Sequence, residues 1–75
     1  MMSAQSQLDV RWLEPPEPFE RIVAALEDLA PDATLHVLIH REPRPLFEWL
    51  KREGYAFRSG YNVEGWFDIF IARQD

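Results

Sequence analysis

Two proline-rich segments constrain the fold of this chain more than any other feature. E14-P-P-E-P18 and R41-E-P-R-P45 each follow a stretch of alternating apolar residues and precede a stretch with helical spacing. Proline fixes its own φ near about −65° and has no backbone N–H, so it ends a strand but is well tolerated in the first turn of a helix. The chain is therefore expected to contain two stiff strand-to-helix connections.

The apolar spacing around these segments predicts six elements. Leu8, Val10 and Trp12 alternate with polar residues and predict a first strand with one buried face. A helix is expected from Pro18, with the apolar face Phe19, Ile22, Val23, Leu26 and Leu29. The spacing then predicts a strand over 34–40, a helix over 46–53, a strand over 55–61, a turn over 62–65 and a strand over 66–73.

The order β-α-β-α-β-β predicts an α+β fold, a two-layer α/β sandwich. Each of the first two β-α-β steps needs a crossover, and crossovers are almost always right-handed, so both helices are expected on one face of the sheet. The other face is then left open. At 75 residues the chain is small, and we expect a disordered N-terminus over 1–6 and a single domain over 7–75.

The composition argues against several classes of function. Cysteine is absent, which removes disulfides, thiolate metal sites and cysteine nucleophiles together. The formal net charge of −5 argues against nucleic-acid binding, and no apolar run approaches the roughly 20 residues of a membrane span. Without a glycine-rich phosphate loop or a legible nucleophile arrangement, we expect a non-enzymatic protein. The absence of cysteine allows a cytoplasmic location, which we also expect.

Two motifs carry a family resemblance that covers nearly the whole chain. L8-D-V-R-W-L-E-P-P-E-P-F19 and H40-R-E-P-R-P-L46 resemble the TusA/SirA-like superfamily of small bacterial proteins, and most closely its cysteine-less branch of domains of unknown function. The resemblance implies a mixed four-stranded sheet in the order 1-2-4-3, with strand 4 antiparallel. Where the sulfur carriers of that superfamily have L-x-C-P-x-P, this chain has L13-E-P-P-E-P18, and Pro15 stands at the cysteine position. The chemistry of sulfur transfer therefore does not carry over.

The first candidate site is the edge of the sheet where both proline loops are expected. Ligands of open α/β sheets favour the carboxyl ends of the strands, and arginines beside a helix N-terminus suit an anion or an acidic partner. The candidate binding residues are Glu14, Pro16, Pro18, His40, Arg41 and Arg44. The structural alternative is that the loops only stiffen the connections, with the arginines paired to Glu42, Glu48 or Glu14.

The second candidate is the open face of the sheet. If strands 2 and 4 are neighbours, an exposed apolar patch lies at the centre of that face, as is typical of interfaces. The candidate interface residues are His36, Leu38, Trp66, Asp68 and Phe70. A homodimer through this face is one prediction. The alternative is that Trp66 and Phe70 stiffen a thin domain by cross-strand packing.

The histidines predict no metal site and no cofactor. His36 and His40 are four residues apart in a strand, which separates them by roughly 13 Å, too far for one metal ion to join them. His40 alone is left as a candidate metal, haem or proton-transfer group within a complex. The plainer reading is a half-exposed strand histidine.

Three functions therefore stay open. The leading hypothesis is a binding or adaptor module that takes an anionic ligand or a protein partner at the proline-loop edge. The second is an accessory protein of sulfur or redox metabolism that docks on the partners of sulfur carriers without passing sulfur. The third is a metal- or haem-associated protein that uses His40.

Overall fold

The computed structural model describes residues 5–74 and contains the six elements that the sequence predicts. They are β1 (Gln5–Asp9), α1 (Glu17–Glu27), β2 (Thr34–Ile39), α2 (Arg44–Glu53), β3 (Tyr55–Asn62) and β4 (Trp66–Arg73). No helix within these residues is long and apolar enough to cross a membrane.

The four strands form one mixed sheet in the order β1-β2-β4-β3. β1 pairs with β2 in parallel, and β4 pairs antiparallel with both β2 and β3. Across the middle of the sheet, Leu8 lies opposite Val37, which lies opposite Ile69. The order and the antiparallel fourth strand that the family resemblance implies are both confirmed.

The core lies between one face of the sheet and the two helices. It is aliphatic: the buried cluster contains Val10, Ile22, Leu26, Leu29, Ala33, Leu35, Val37, Ile39, Leu46, Leu50, Ile69 and Ile71. Because residues of both helices pack on alternate residues of β2 and β4, both helices lie on the same face, as predicted. Aromatic rings close the sides of this core, with Trp49 against both Phe19 and Tyr55.

The first strand departs from its prediction at both ends. Gln5 and Ser6 belong to β1 rather than to a disordered terminus; residues 1–4 of that predicted terminus, and Asp75, lie outside the described residues. At the other end Val10 donates to Leu38 of β2, but the chain then turns away. The predicted burial of Trp12 is wrong: it has a φ of 70° and is 70% exposed.

Both helices begin inside the proline segments, slightly earlier than the apolar spacing predicts. Pro16 and Pro43 are the N-cap residues, and a second proline occupies the first turn of each helix. Neither helix has a side-chain cap. The peptide bond between Pro15 and Pro16 is cis. Since β1 and β2 are parallel, the two loops lie at the same edge of the sheet.

Candidate binding groove

A cavity of about 340 Å³ lies between the two proline loops. We call it the proline groove. Its lining comes from both loops, from the starts of both helices and from the end of β2: Leu13, Pro15, Pro16, Pro18, Phe19, Ile22, Ile39, His40, Arg41, Glu42, Pro43, Pro45 and Leu46. The volume is within the range of small-molecule sites, and the lining is mostly apolar, as in such sites.

The groove has this shape because the two loops are built alike. P16-E-P-F19 and P43-R-P-L46 share a proline N-cap, a second proline in the first helical turn and then a large apolar residue. The apolar residue of each loop packs on the core. Pyrrolidine rings cannot rotate about φ, so both walls are stiff before anything binds, which lowers the ordering cost of an occupant.

His40 is the polar residue at the end of β2 that lines the groove. Its Nδ1 accepts a hydrogen bond of 2.9 Å from the backbone N–H of Trp12, and the two rings lie 5.2 Å apart between centroids. A neutral imidazole has one N–H, so an accepting Nδ1 places the proton on Nε2. His40 is therefore a hydrogen-bond donor at Nε2.

Four of the six predicted binding residues line the groove: Pro16, Pro18, His40 and Arg41. Glu14 and Arg44 do not. Glu14 contributes its carbonyl oxygen, which accepts the N–H of Glu17 at 3.0 Å. Arg44 pairs with Glu42 at 3.3 Å between Nε and Oε1, which is one of the pairings considered as the structural alternative. The structure thus unites the two loops in one site but turns one residue of each away from it.

The open face of the sheet is organised around Asp68. Its carboxylate accepts hydrogen bonds from His36 Nε2 at 2.9 Å, Asn62 Nδ2 at 3.1 Å and Trp66 Nε1 at 3.2 Å. The hydrogen bond from His36, followed by that from Asn62, lowers the pKa of Asp68 below its ordinary value. Residues from β2 and β4 and from the end of β3 are thereby joined by one carboxylate.

The exposed apolar patch expected on this face is not present. Leu38 is only 7% exposed. The Arg11 guanidinium lies 4.5 Å from the centre of the Trp66 ring. Phe70 stacks on His36 at 4.3 Å and has the Arg58 guanidinium 5.4 Å away. Trp66 and Phe70 are half-buried as a result, which agrees with the cross-strand packing alternative. The predicted homodimer through this face stays a prediction.

Several residues of both regions were not predicted. The spacing predicts Trp12 in the first strand, Leu13 enters only as part of the L13-E-P-P-E-P18 motif, and neither Arg11 nor Arg58 is predicted on the open face. One signal in the sequence was available: P-x-P followed by a large apolar residue occurs twice, and that pattern also marks Pro43 and Pro45. No comparable signal marks the arginines, because the aromatic rings that they cover, Trp66 and Phe70, are distant in sequence.

The two histidines are engaged separately. His36 donates to Asp68, and His40 accepts from Trp12. Within residues 5–74, no three side chains of His, Cys, Asp or Glu are grouped so that they could hold a metal ion.

Comparison with known proteins gives a family. Neither a curated protein nor a solved structure matches the chain. One protein family matches residues 7–73, which include both proline loops and every residue of the groove. The chain belongs to the family of uncharacterised conserved proteins DUF2249.

Proposed function

We propose that the protein is a non-enzymatic binding module that takes an apolar group of a protein partner in the proline groove. The observation that carries this proposal is that both proline loops line one apolar cavity of about 340 Å³. Two stiff walls built from separate parts of the sequence form a preorganised site. This is more than a stiff strand-to-helix connection needs.

Trp12 favours a protein partner over a ligand that fills the groove alone. Trp12 is 70% exposed, and its ring lies beside that of His40, a residue of the groove lining. Trp and Arg are the residues most enriched among the energetically dominant contacts of interfaces. Trp12 therefore extends the contact surface beyond the cavity, while Arg41 lies in the groove lining itself.

The electrostatics favour a negatively charged group on the partner. Arg41 forms no ion pair within the described residues, whereas Glu42 is paired with Arg44. Both helices begin at the groove, and α2 has no acidic residue in its first turn, so the positive end of its dipole favours negative charge there; in α1, Glu17 and Glu20 already supply that charge. An acidic or chain-terminal segment with an apolar side chain fits these features.

The test is a binding measurement with a variant that fills the groove. Pro45 is exposed and lines the groove, so Pro45→Trp obstructs it without changing the buried core. Pro31 is an exposed proline outside the groove lining, in the turn before β2, and Pro31→Trp is the matched control. Candidate partners are the purified products of neighbouring genes, and their affinity is measured by calorimetry.

We expect Pro45→Trp to weaken partner binding at least about tenfold, roughly 1.4 kcal/mol, and Pro31→Trp to leave it unchanged. Amide NMR shifts on binding are expected at residues of both loops. A partner that binds both variants equally well places the site elsewhere and refutes the proposal.

The two other functions are less favoured. Docking on the partners of sulfur carriers stays a prediction; Pro15, at the position of the carriers' cysteine, lines the same groove, and loss of sulfurtransferase binding in Pro45→Trp is its test. Metal or haem ligation by His40 is opposed by its tautomer, because a protonated Nε2 has no lone pair for a metal. The cytoplasmic location also stays a prediction.

A further inference from the structure

We infer that His40 determines what the groove accepts: its Nε2–H donates a hydrogen bond to a carboxylate that an aliphatic group of the partner carries. This inference rests on the proposed function, since it names the chemistry of the group that enters the same groove. It assigns three tasks to neighbouring residues. Trp12 fixes the tautomer, the apolar walls hold the aliphatic part, and Arg41 supplies the opposite charge.

The first step is the fixed tautomer. The hydrogen bond from the Trp12 N–H to Nδ1 measures 2.9 Å. A backbone N–H has no alternative protonation state, so the imidazole must offer a lone pair at Nδ1 and keep its proton on Nε2. The turn that places Trp12 there has a positive φ of 70° at a bulky residue. Such strained backbone conformations persist only where contacts with the surrounding structure hold them in place.

The second step concerns Nε2. Within residues 5–74 every buried side-chain nitrogen or oxygen has a hydrogen-bond partner. Nε2 of half-buried His40 has no partner among these residues, so it is open to solvent. His40 follows directly on Ile39, the last residue of β2, and both line the groove. A donor without a protein acceptor therefore lies beside a mostly apolar cavity.

The third step is the nature of the acceptor. Beside His40, the charged residues of the groove lining are Arg41 and Glu42, and the charge of Glu42 is offset by Arg44. Arg41 is left as the uncompensated cation. Hydrogen bonds to an ionised acceptor are about twice as strong as neutral ones, and apolar walls reduce the screening of the charge. A carboxylate therefore satisfies Nε2–H and Arg41 better than a carbonyl oxygen does.

The tautomer is tested first, by long-range ¹H–¹⁵N NMR correlations of the imidazole at pH 8, where an ordinary histidine is neutral. The sequence contains two histidines, so a His36→Gln variant assigns the signals. We expect the pattern of a proton on Nε2 for His40. A proton on Nδ1 would overturn the inference.

The acceptor is tested with a matched pair of probes, N-acetyl-leucine and N-acetyl-leucinamide, which differ in the carboxylate but not in the aliphatic side chain. Small ligands of this size bind at roughly millimolar concentrations. In the wild-type protein we expect the acid to bind at least about tenfold more tightly than the amide and to shift the Nε2 resonance. In His40→Ala we expect the preference to fall to about threefold, the share that Arg41 supplies.

Arg41→Ala provides a second variant, because Arg41 is exposed and its removal leaves the core intact. This variant is expected to weaken binding of the acid about threefold and to leave binding of the amide unchanged. Equal binding of acid and amide to the wild-type protein contradicts the inference. So does an acid preference that stays about tenfold in His40→Ala, or the absence of any groove shift with either compound.

These outcomes are separable from failure of the proposed function. The groove proposal fails when Pro45→Trp leaves partner affinity unchanged, whatever the leucine pair shows. The carboxylate inference fails on the probes or on the tautomer, even where Pro45→Trp abolishes partner binding.

Discussion

The open face of the sheet and the proline groove hold similar side chains but use them differently. The open face has a histidine and a tryptophan that both donate to Asp68, and it has Arg11, which is paired with Asp9. Each of these groups finds its partner within the domain. The open face is therefore a set of contacts that join neighbouring strands, and its polar residues contribute to folding.

In and beside the groove, the same three residue types lack partners among the described residues. His40 uses one ring nitrogen, Trp12 is 70% exposed, and Arg41 forms no ion pair within residues 5–74. Unpaired donors and exposed aromatics do little for the stability of a monomer. Structural and binding residues therefore differ here not in residue type but in whether each polar group has a hydrogen-bond or ion-pair partner within the domain.

The largest effect is expected from removing Asp68, the shared hydrogen-bond acceptor of the open face. Asp68→Ala leaves His36, Asn62 and Trp66 without their shared partner. Each lost hydrogen bond costs about 1 kcal/mol, and water reaches the site, since the Asp68 side chain is 22% exposed. We expect the free energy of unfolding, measured by urea denaturation, to fall by about 2 kcal/mol.

The control for Asp68→Ala is Asp32→Ala, in an exposed turn, with an expected change below about 0.5 kcal/mol. If the two variants lose the same stability, the open-face network is not structural and the comparison fails.

Acid unfolding tests the same carboxylate without removing it. The pKa of Asp68 lies below the ordinary 3.8 because of its hydrogen bonds, above all that from His36. A lowered folded-state pKa adds stability above the unfolded-state value, and that stability is lost as the pH falls through the folded-state pKa. Asp9 acts in the same direction, since the hydrogen bond from Arg11 lowers its pKa to about 2.

The expected result is a difference in unfolding free energy between wild type and Asp68→Asn that narrows as the pH falls below about pH 4. Urea midpoints at a series of pH values measure it, and taking the difference between the two proteins cancels the general effect of low pH. A difference that stays constant down to pH 2.5 refutes the assignment.

The same contrast explains what the sequence predicts well. In β2 and β4 the period of two puts Val37 and Ile69 on the side of the sheet that faces the helices, and both lie in the core. The joint position of the proline loops follows from two parallel strands. Trp12 was assigned wrongly because the period-two pattern continues past the end of β1, where a backbone turn and a contact 28 residues away decide its position.

The side chains that lie over the open face also could not be predicted from the sequence. Leu38 and Trp66 were expected to be exposed, but spacing along one strand does not show which side chains reach over it from other strands. Arg11 arrives from the end of β1, and Arg58 from β3. Arg44 is different: it pairs with Glu42, two residues earlier, which is the structural alternative that the sequence left open.

A smaller effect is expected at Trp12 itself. A φ of 70° disfavours any residue with a Cβ, whereas glycine adopts it freely. Trp12→Gly and Trp12→Ala both lose the contact with the His40 ring, so their difference isolates the backbone. We expect the glycine variant to be more stable than the alanine variant by about 1 kcal/mol, as measured by thermal unfolding.

Both Trp12 variants are expected to lose partner affinity, because the exposed ring is gone. Equal stability of the two would show that the turn relaxes and that Trp12 is not held in this conformation. Equal affinity to wild type would remove Trp12 from the binding surface and leave the groove alone.

The smallest effect compares two arginines that differ in their partners. Arg11 pairs with Asp9 at 2.7 Å and lies over Trp66, while Arg41 is exposed without an ion pair within the described residues. Exposed ion pairs contribute little, so Arg11→Ala is expected to lower the urea midpoint by only on the order of 0.3 M. Arg41→Ala should leave the midpoint unchanged and weaken only carboxylate binding. If Arg41→Ala lowers the midpoint as much as Arg11→Ala does, Arg41 belongs with the structural residues, and the groove loses the uncompensated charge on which its preference for a carboxylate rests.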